Sequence, residues 1–378
     1  AARGRRAPIS APTRTPAELM RAALETPYQF EPLRRALTPD DRVAVVFDPR
    51  LPHAGEMLAE LLRHLGGAGV TPATVTVVSP AGSAQGWIDA LPDEFDELTA
   101  ELHDPADARK LMYVATTKAG RRVYLNRAVG EADFVVVLAG RRYDPHAGYA
   151  GAEAALFPAL SDEETQKELA GAFSSAAPDG NRDTEAAEVA WLLGSPFFVQ
   201  VIEGSGNTVQ DVVAGLFESG TEGLRRQDAR WRATLDAEVD TVIASIGGES
   251  EAVTFLDLAQ AAATAARAVK KGGRIALLTA AAPAMGPGAE LLGRLDGPAG
   301  AKKLLDQEKP PDWAAARLWV FAARSASLFL ASGYPDEVTE GLFGTPIRTP
   351  SEVQRLIDTG SGSVLLIPDA HKAMVTVG

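Results

Sequence analysis

The chain has 378 residues, 46% of them hydrophobic and 23% charged, which predicts a folded protein of two or three domains and excludes wholesale disorder and fibrous repeats. Its 50 acidic residues against 37 basic residues give a formal charge of −13. Because such a charge repels phosphate backbones and anionic lipid surfaces, we expect no nucleic-acid partner and no membrane partner.

The residue types that commonly carry redox and metal chemistry are scarce. There is no cysteine, which excludes disulfides, iron–sulfur clusters and thiol nucleophiles. The five histidines have no HxxH, HxH or HExxH spacing, so no metal site is predicted. No apolar run reaches the roughly 18 residues that a membrane helix needs. We therefore expect a soluble, cytoplasmic protein.

Residues 1–37 are predicted to form an N-terminal arm and one short helix. A basic, proline-rich stretch ends at the motif TPAE (15–18), where threonine and glutamate match a capping box and proline suits the first helical position. Next, residues 42–47 predict a buried strand, 55–65 a helix and 75–78 a second strand. This order predicts a right-handed βαβ unit of a parallel sheet.

Two hairpins and a strongly apolar strand follow in the first half of the chain. The hairpins are predicted over residues 111–126 and 197–213, the second of them around a glycine-containing turn at 204–207. The apolar strand spans residues 134–138, and a helix is predicted over 185–193.

The second half of the chain repeats the alternation of strands and helices. A polar helix over 225–237 is predicted to connect two α/β domains, which span residues 38–225 and 238–378. The further predicted elements are strands at 241–245, 274–279, 327–330 and 364–367, a helix at 256–269, and an apolar segment at 318–322. The predicted fold class is α/β, with two domains whose sheets are of the parallel type and a cleft between them.

Two stretches of the chain match the motifs of a known family. Residues 114–158 read VATTKAGRRVYLNRAVGEADFVVVLAGRRYDPHAGYAGAEAALFP, against the family pattern GTTSxGTPVxVNxxVxEADLVIxIGxIEPHYFAGFSGGxKxxLPG. Residues 245–273 read SIGGESEAVTFLDLAQAAATAARAVKKGG, against SPGGYPKDINLYQAQKALDNAALAVKPGG without a gap. The chain therefore resembles the nickel-pincer lactate racemase (LarA-like) family over about residues 40–375.

The resemblance implies two α/β domains with a cleft, and a specific cofactor chemistry. In the family, a nicotinate-derived nucleotide that carries nickel is joined to a lysine, a histidine completes the nickel coordination, and two further histidines shuttle the α-proton. A 2-hydroxy acid loses a hydride to this cofactor and regains it on either face. A bound organic acceptor is required because no protein side chain accepts hydride.

Most of these active-site residues are absent at the matching positions. His146 matches one proton-shuttling histidine, although the Tyr-Phe pair that normally follows is missing and the loop is two residues shorter. The position of the anchoring lysine falls on Ala154, and the neighbouring Glu153 cannot form the same link, so no cofactor is expected. Residues 79–83 contain no histidine where the first shuttling histidine should follow its strand. No histidine lies within 147–370, so the nickel ligand is lost as well.

The positions that bind cofactor and substrate in the family are altered too. The motif DxTRP matches Asp48, which follows the first strand, but its arginine falls on Leu51, with Arg50 adjacent. We take Asp48 and Arg50 as candidate cofactor-binding residues. The family's substrate-binding glutamine and lysine fall on Asp257 and Gln260, our candidate substrate-binding residues. Because Asp257 repels a carboxylate that a lysine would attract, the substrate class should differ.

The sequence supports two hypotheses about function. In the first, the chain is a LarA-like protein that has lost nickel-pincer racemase activity and binds a small ligand or a protein partner, with the interdomain cleft as the ligand site. In the second, it is an active, divergent 2-hydroxyacid racemase, epimerase or related isomerase that holds a cofactor non-covalently and uses His146 as acid or base. Replacing His146 by alanine would slow such an enzyme roughly 100-fold or more, but would leave a binder's affinity within a small factor. A dinucleotide or methyl-donor enzyme has the weakest support, because no dinucleotide fingerprint is present.

Overall fold

The computed structural model describes residues 13–83, 85–144, 148–170, 185–358 and 362–378 of the chain. The first part of the chain contains, in order, α1 (Pro16–Glu25), β1 (Val43–Phe47), α2 (Ala54–Gly66), β2 (Val75–Ser79), β3 (Thr99–Leu102), β4 (Leu111–Thr116), β5 (Arg122–Asn126), α3 (Arg127–Gly130), β6 (Phe134–Asp144), β7 (Gly148–Ala150), α4 (Glu153–Leu156), α5 (Glu163–Ala170), α6 (Glu185–Leu192), β8 (Phe197–Glu203), β9 (Val209–Gly215) and α7 (Ser219–Trp231). The second part contains β10 (Arg232–Leu235), β11 (Val239–Ser245), α8 (Phe255–Ala268), β12 (Val269–Leu278), α9 (Pro287–Leu292), α10 (Pro298–Glu308), α11 (Trp313–Ser325), β13 (Ser327–Ala331), α12 (Asp336–Gly341), β14 (Gly344–Pro346), α13 (Pro350–Asp358), β15 (Val364–Ile367) and β16 (Met374–Val377).

The first sheet has the strand order β3–β2–β1–β6–β8–β9, with β7 paired to β6 beside this path. Its neighbouring strands are parallel, except that β9 runs antiparallel to β8 and β7 runs antiparallel to β6. The chain builds outward from β1 to β2 and β3 and then continues on the other side of β1 with β6, so the topological switch point lies between β1 and β6. Strand β1 (VAVVF) is buried along its whole length, as expected for a central parallel strand covered on both faces.

Both faces of the first sheet are covered. On one face, α1 and α2 contribute Met20 and Leu58 to a hydrophobic core. On the other face, the β4–β5 hairpin and the short helices α3, α4 and α6 enclose a second core that includes Leu125 and Leu156. Helix α1 begins at the predicted capping box, in which Thr15 and Glu18 exchange hydrogen bonds.

The second sheet has the order β14–β13–β12–β11–β15, and all its strands are parallel. The chain runs from β11 through β12 and β13 to β14 in one direction and then places β15 on the opposite side of β11. The second switch point therefore lies between β11 and β15. Helices α8 and α11 pack over one face in a core that includes Leu258 and Trp319. Because α8 presents mostly alanines to this core, the two helices can approach closely.

The C-terminal end of the chain lies beside the connection between the two sheets. Strand β16 pairs with β10 in a parallel two-stranded sheet, directly after α7. Trp231, the last residue of α7, is buried in the core of the second part, together with Val375 of β16. Its indole N–H donates to the carbonyl oxygen of Glu203 in the first part over 2.8 Å. The segment after β15 is thereby held next to the end of β8.

The predicted α/β class with parallel sheets is confirmed, while several elements differ in extent. The predicted polar helix over 225–237 is wrong at both ends, because α7 starts at Ser219 and gives way to β10 after Trp231. Gly272 and Gly273, which separate the predicted helix at 256–269 from the predicted strand at 274–279, lie within β12, at a local irregularity where Gly272 has a φ of 75°. Short strands such as β3 and β16 are not predicted by the sequence. Among the described residues, no helix is long and apolar enough to cross a membrane.

Candidate functional site

The carboxyl ends of the two sheets meet, and both switch points carry charged residues. In the first sheet, Asp48 follows β1 and Arg142 lies near the end of β6, so the two flank the switch point. In the second sheet, Gly247 follows β11 and Asp369 follows β15. Open α/β sheets bind ligands in the crevice outside the carboxyl ends of their strands, at such points. We therefore take the contact region between these two edges, called the interface below, as the candidate site.

Asp48 is buried at the interface and paired with two arginines. Arg142 Nη1 donates to Asp48 Oδ2, and Arg50 Nε donates to Asp48 Oδ1 over 3.2 Å. The backbone N–H of Arg50 reaches the same oxygen over 3.0 Å. Burial raises the pKa of Asp48, but the charges of Arg142 and Arg50 outweigh it and hold this pKa well below its usual range. Asp48 is thus a carboxylate whose two oxygens are both bound by cations of the chain.

Glu203, the last residue of β8, extends these ion pairs into the second part of the chain. Arg142 Nε donates to Glu203 Oε1 over 2.7 Å, and Lys372 Nζ lies 3.0 Å from Glu203 Oε2. Burial raises the pKa of Glu203, but Arg142 and Lys372 together lower it to about 2. Burial lowers the pKa of Arg142, yet its two carboxylate partners raise it well above its usual value. Arg50, Asp48, Arg142, Glu203 and Lys372 are called the ionic chain below.

Asp369 binds the turn at residues 204–207, which connects β8 to β9. Its Oδ2 accepts hydrogen bonds from Ser205 Oγ (2.6 Å) and from the backbone N–H of Gly206 (3.3 Å). Its Oδ1 accepts a hydrogen bond from the backbone N–H of Gly247, at the end of β11 (3.1 Å). One buried carboxylate at the second switch point therefore links the first part of the chain to the edge of the second sheet.

The two candidate substrate-binding residues lie in the first turns of α8 and have protein partners. Asp257 completes a capping box, because its Oδ2 accepts hydrogen bonds from Thr254 N (2.8 Å) and Thr254 Oγ1 (2.7 Å). Gln260 Nε2 donates to the carbonyl oxygen of Tyr143, near the end of β6, over 3.5 Å. The structure thus brings Gln260 to the interface, and Asp257, near His371, caps the helix.

His371 is an interface residue that the sequence analysis does not single out. It follows Asp369 in the loop between β15 and β16, and its Nδ1 atom is buried without a hydrogen-bond partner among the described residues. Burial lowers the pKa of His371, and the nearby carboxylate of Asp257 only partly opposes this, so the imidazole is neutral at pH 7. A lone histidine four residues after a strand matches no spacing pattern, which is why its position carries no signal.

Arg267, in the last turn of α8, is the second interface residue that sequence reasoning misses. Its guanidinium carbon lies 5.2 Å from the ring centroid of Tyr143 and 5.9 Å from that of Phe321. Its Nε and Nη2 atoms are buried and have no hydrogen-bond partner among the described residues. Burial lowers the pKa of Arg267. The sequence signal for Arg267 was its position as a single charged residue in an alanine-rich helical run.

The remaining candidates do not form a cofactor site in the described part of the chain. His146 lies outside the described residues. Ala154 lies in the short helix α4, where no amine is available for a covalent link, and the amine of Lys372 is bound to Glu203. No cluster of three or more histidine, aspartate and glutamate side chains in the described ranges could hold a metal ion. These residues do not fit a lysine-anchored nickel cofactor.

Comparisons with known proteins agree with the fold and with the motifs. Residues 5–169 match the family described as lactate racemase N-terminal domain. The lactate racemase apoprotein from Thermoanaerobacterium thermosaccharolyticum matches the structure with a TM-score of 0.79 and 16% sequence identity, over 96% of this chain and 93% of that chain. A Thermotoga maritima protein solved by a structural genomics consortium matches with a TM-score of 0.72 and 13% identity, over 96% of this chain and 98% of that one. No curated protein matches the sequence.

The match to the family covers residues 5–169, and the match in fold covers nearly all of the chain. The resemblance indicated by the motifs in residues 114–158 and 245–273 is confirmed. Residues 5–169 of this chain are therefore similar to the lactate racemase N-terminal domain family, and the chain as a whole has a lactate-racemase-like fold.

Proposed function

We propose that this lactate-racemase-like protein has lost nickel-pincer racemase activity and binds a small anionic ligand at the interface. The observation that carries the loss of racemase activity is the ionic chain. Its three cations, Arg50, Arg142 and Lys372, are each paired with Asp48 or Glu203. A 2-hydroxy acid that approaches the two switch points meets three cations that are already neutralised, so these three do not hold its carboxylate, and we assign the binding of an anion to Arg267 instead.

The absence of a lysine-anchored cofactor is part of the proposal. The matching position is Ala154, and the sequence has no lysine between Lys118 and Lys167. At the interface, Lys372 donates to the carbonyl oxygens of Gly204 (3.2 Å) and Gly206 (2.6 Å) besides its ion pair, so its amine is already engaged within the protein. Without an organic hydride acceptor, the chain's own side chains cannot carry out hydride transfer.

Arg267 supports an anion as the ligand. Burying a guanidinium is costly unless it is paired with an acid, yet the group that interacts with the half-buried Arg267 is Tyr143 rather than a carboxylate, and its Nε and Nη2 atoms are buried. Its Nε and Nη2 atoms have the fork geometry that binds both oxygens of a carboxylate or a phosphate. The contact with the Tyr143 ring, whose centroid lies 5.2 Å from the guanidinium carbon, places this fork beside the end of β6.

Loss of the family's cofactor is tested by intact-protein mass spectrometry together with elemental analysis for nickel. The protein is co-expressed with the family's cofactor-synthesis enzymes, so that the cofactor is available to it. We expect the unmodified mass and no stoichiometric nickel. A covalent adduct, or one nickel per chain, would overturn the proposal.

Ligand binding is tested by thermal denaturation of the wild-type protein with inorganic phosphate and a panel of mono- and dicarboxylates. An anion present at 100 times its Kd stabilises the protein by about 2.7 kcal/mol, which shifts the Tm measurably. We expect such a shift in the wild-type protein and in the control Arg324→Leu, which changes an exposed arginine of α11. The Arg267→Leu variant should lose it. Equal shifts in both variants, or no shift in the wild-type protein with any of these anions, would count against the proposal.

A further inference from the structure

The ligand crevice of the second sheet is filled by a segment of the first part of the chain. The 204–207 turn lies against residues 247–248, which follow β11 at the second switch point. A Cβ atom placed on Gly206 would lie 3.6 Å from Gly248 N, so the two backbones are in direct contact. Gly206 has a φ of 58° and Gly248 a φ of 104°, values that glycine adopts without strain. Glycine at both positions permits this close approach.

Side chains at the second switch point bind the polar groups of the turn as they would bind the polar groups of a ligand. Asp369 accepts hydrogen bonds from the Ser205 hydroxyl and the Gly206 N–H, on the donor side of the turn. Lys372 donates to the carbonyl oxygens of Gly204 and Gly206, on its acceptor side. Asp369 and Lys372 both lie in the loop that follows β15. Asp369 therefore binds the donors of the turn, and Lys372 binds its carbonyl oxygens.

These contacts can break without loss of either sheet. They are hydrogen bonds accepted by Asp369 and donated by Lys372, with one more from Asn207 Nδ2 to Glu249 (3.2 Å), whereas the β8–β9 pairing that carries the turn lies entirely within the first sheet. Lys372 is also the last member of the ionic chain, and its Nζ lies 3.0 Å from Glu203 Oε2. Withdrawal of Lys372 from the turn would therefore also weaken the ion pairs between the two parts of the chain.

We propose that the 204–207 turn is an internal latch. While Asp369 and Lys372 hold the turn, the crevice between β11 and β15 is closed, and release of the turn opens the interface to a ligand. This inference rests on the proposed function, ligand binding at the interface, and adds how access to that site is controlled.

Hydrogen–deuterium exchange of the full chain, without any ligand, tests the latch. In Asp369→Asn, the amides of Gly206 and Gly247 lose a hydrogen bond to a charged acceptor. We expect peptides containing either residue to exchange about tenfold faster than in the wild-type protein. Peptides from β1 and α8 should exchange at the wild-type rate. Ser205→Ala, which removes only the hydroxyl contact, should accelerate exchange at Gly206 less strongly and in the same direction.

Asp312→Asn is the matched control, because Asp312 also accepts two backbone hydrogen bonds, from Gly288 (2.6 Å) and Ala289 (3.1 Å), within the second part. It should accelerate exchange at these two residues and leave the turn unchanged. Unaltered exchange at the turn in Asp369→Asn would overturn the latch. So would faster exchange in β1 and α8, which would show that Asp369 stabilises the whole fold. Since no ligand is present, a failure to find a ligand leaves this result unaffected.

Discussion

Glu203 determines whether the charges at the interface balance. Its carboxylate lies between Arg142 and Lys372, and the side chains of Glu203 and Lys372 are only 12% and 10% exposed. If its charge is removed, two cations face each other with little water to screen them. Breaking a buried pair in this way typically costs about 3–5 kcal/mol, whereas an exposed pair contributes about 0–1 kcal/mol. The stabilising effect of Glu203 thus depends on the burial of its partners.

The Glu203→Gln variant should lower the free energy of unfolding by about 3 kcal/mol at pH 7, because Arg142 and Lys372 lose their shared counter-charge. Urea denaturation measures this change as the difference in total unfolding free energy, summed over the two transitions that the variant is expected to show. Glu222→Gln is the control, since Glu222 also pairs with two arginines, Arg225 and Arg226, and also has a pKa lowered to about 2. These partners lie one turn away on the same helix, and Arg225 is 67% exposed, so we expect a loss of at most about 1 kcal/mol. Equal losses of stability in the two variants would contradict the conclusion that burial of its partners makes Glu203 strongly stabilising.

Single residues of the site were predictable only where the signal is local. Asp48 is recognised because it directly follows a strongly apolar strand, where parallel sheets open their crevices. Glu203 and Lys372 are far apart in the sequence, and neither position indicates that the two side chains form an ion pair. The burial of His371 likewise depends on how the two parts of the chain meet.

Elements defined by their own hydrophobic pattern were predicted, and elements defined by a distant partner were not. Strand β1 and the β8–β9 hairpin follow from apolar runs and a glycine turn. Residues 232–235 continue a polar, charged stretch and therefore resemble the end of a helix. They form β10 because β16, at the other end of the chain, pairs with them. No pattern within the segment itself indicates this pairing.

For the whole molecule, the α/β class followed from the alternation of elements, and the lactate-racemase-like fold followed from two motifs. The way in which the two sheets contact each other followed from neither of these signals. That contact combines Trp231, which donates to the carbonyl oxygen of Glu203, with the ionic chain and with Asp369. Each of these links joins side chains to groups that lie far apart in the sequence. The interface therefore combines these polar links with a small apolar cluster of Tyr143 and Met374, whereas each sheet has its own larger hydrophobic cores.

Such an interface should respond to acid. Asp48 and Glu203 have pKa values below their usual range in the folded protein, so the unfolded chain binds more protons as the pH falls. Their stabilising contribution is fully present above about pH 5 and is lost as the pH falls towards the folded pKa of Glu203, about 2. The hydrophobic cores of the two parts do not depend on these two carboxylates.

Differential scanning calorimetry should therefore show one cooperative transition at pH 7 and two transitions at pH 3, because acid weakens the coupling between the two parts before it unfolds either of them. The Glu203→Gln variant should show two transitions already at pH 7, and the control Glu222→Gln should show one. Two transitions for the wild-type protein at pH 7 would mean that the ionic chain does not couple the sheets. A single transition for Glu203→Gln would mean that Trp231 and Asp369 suffice to couple them without it.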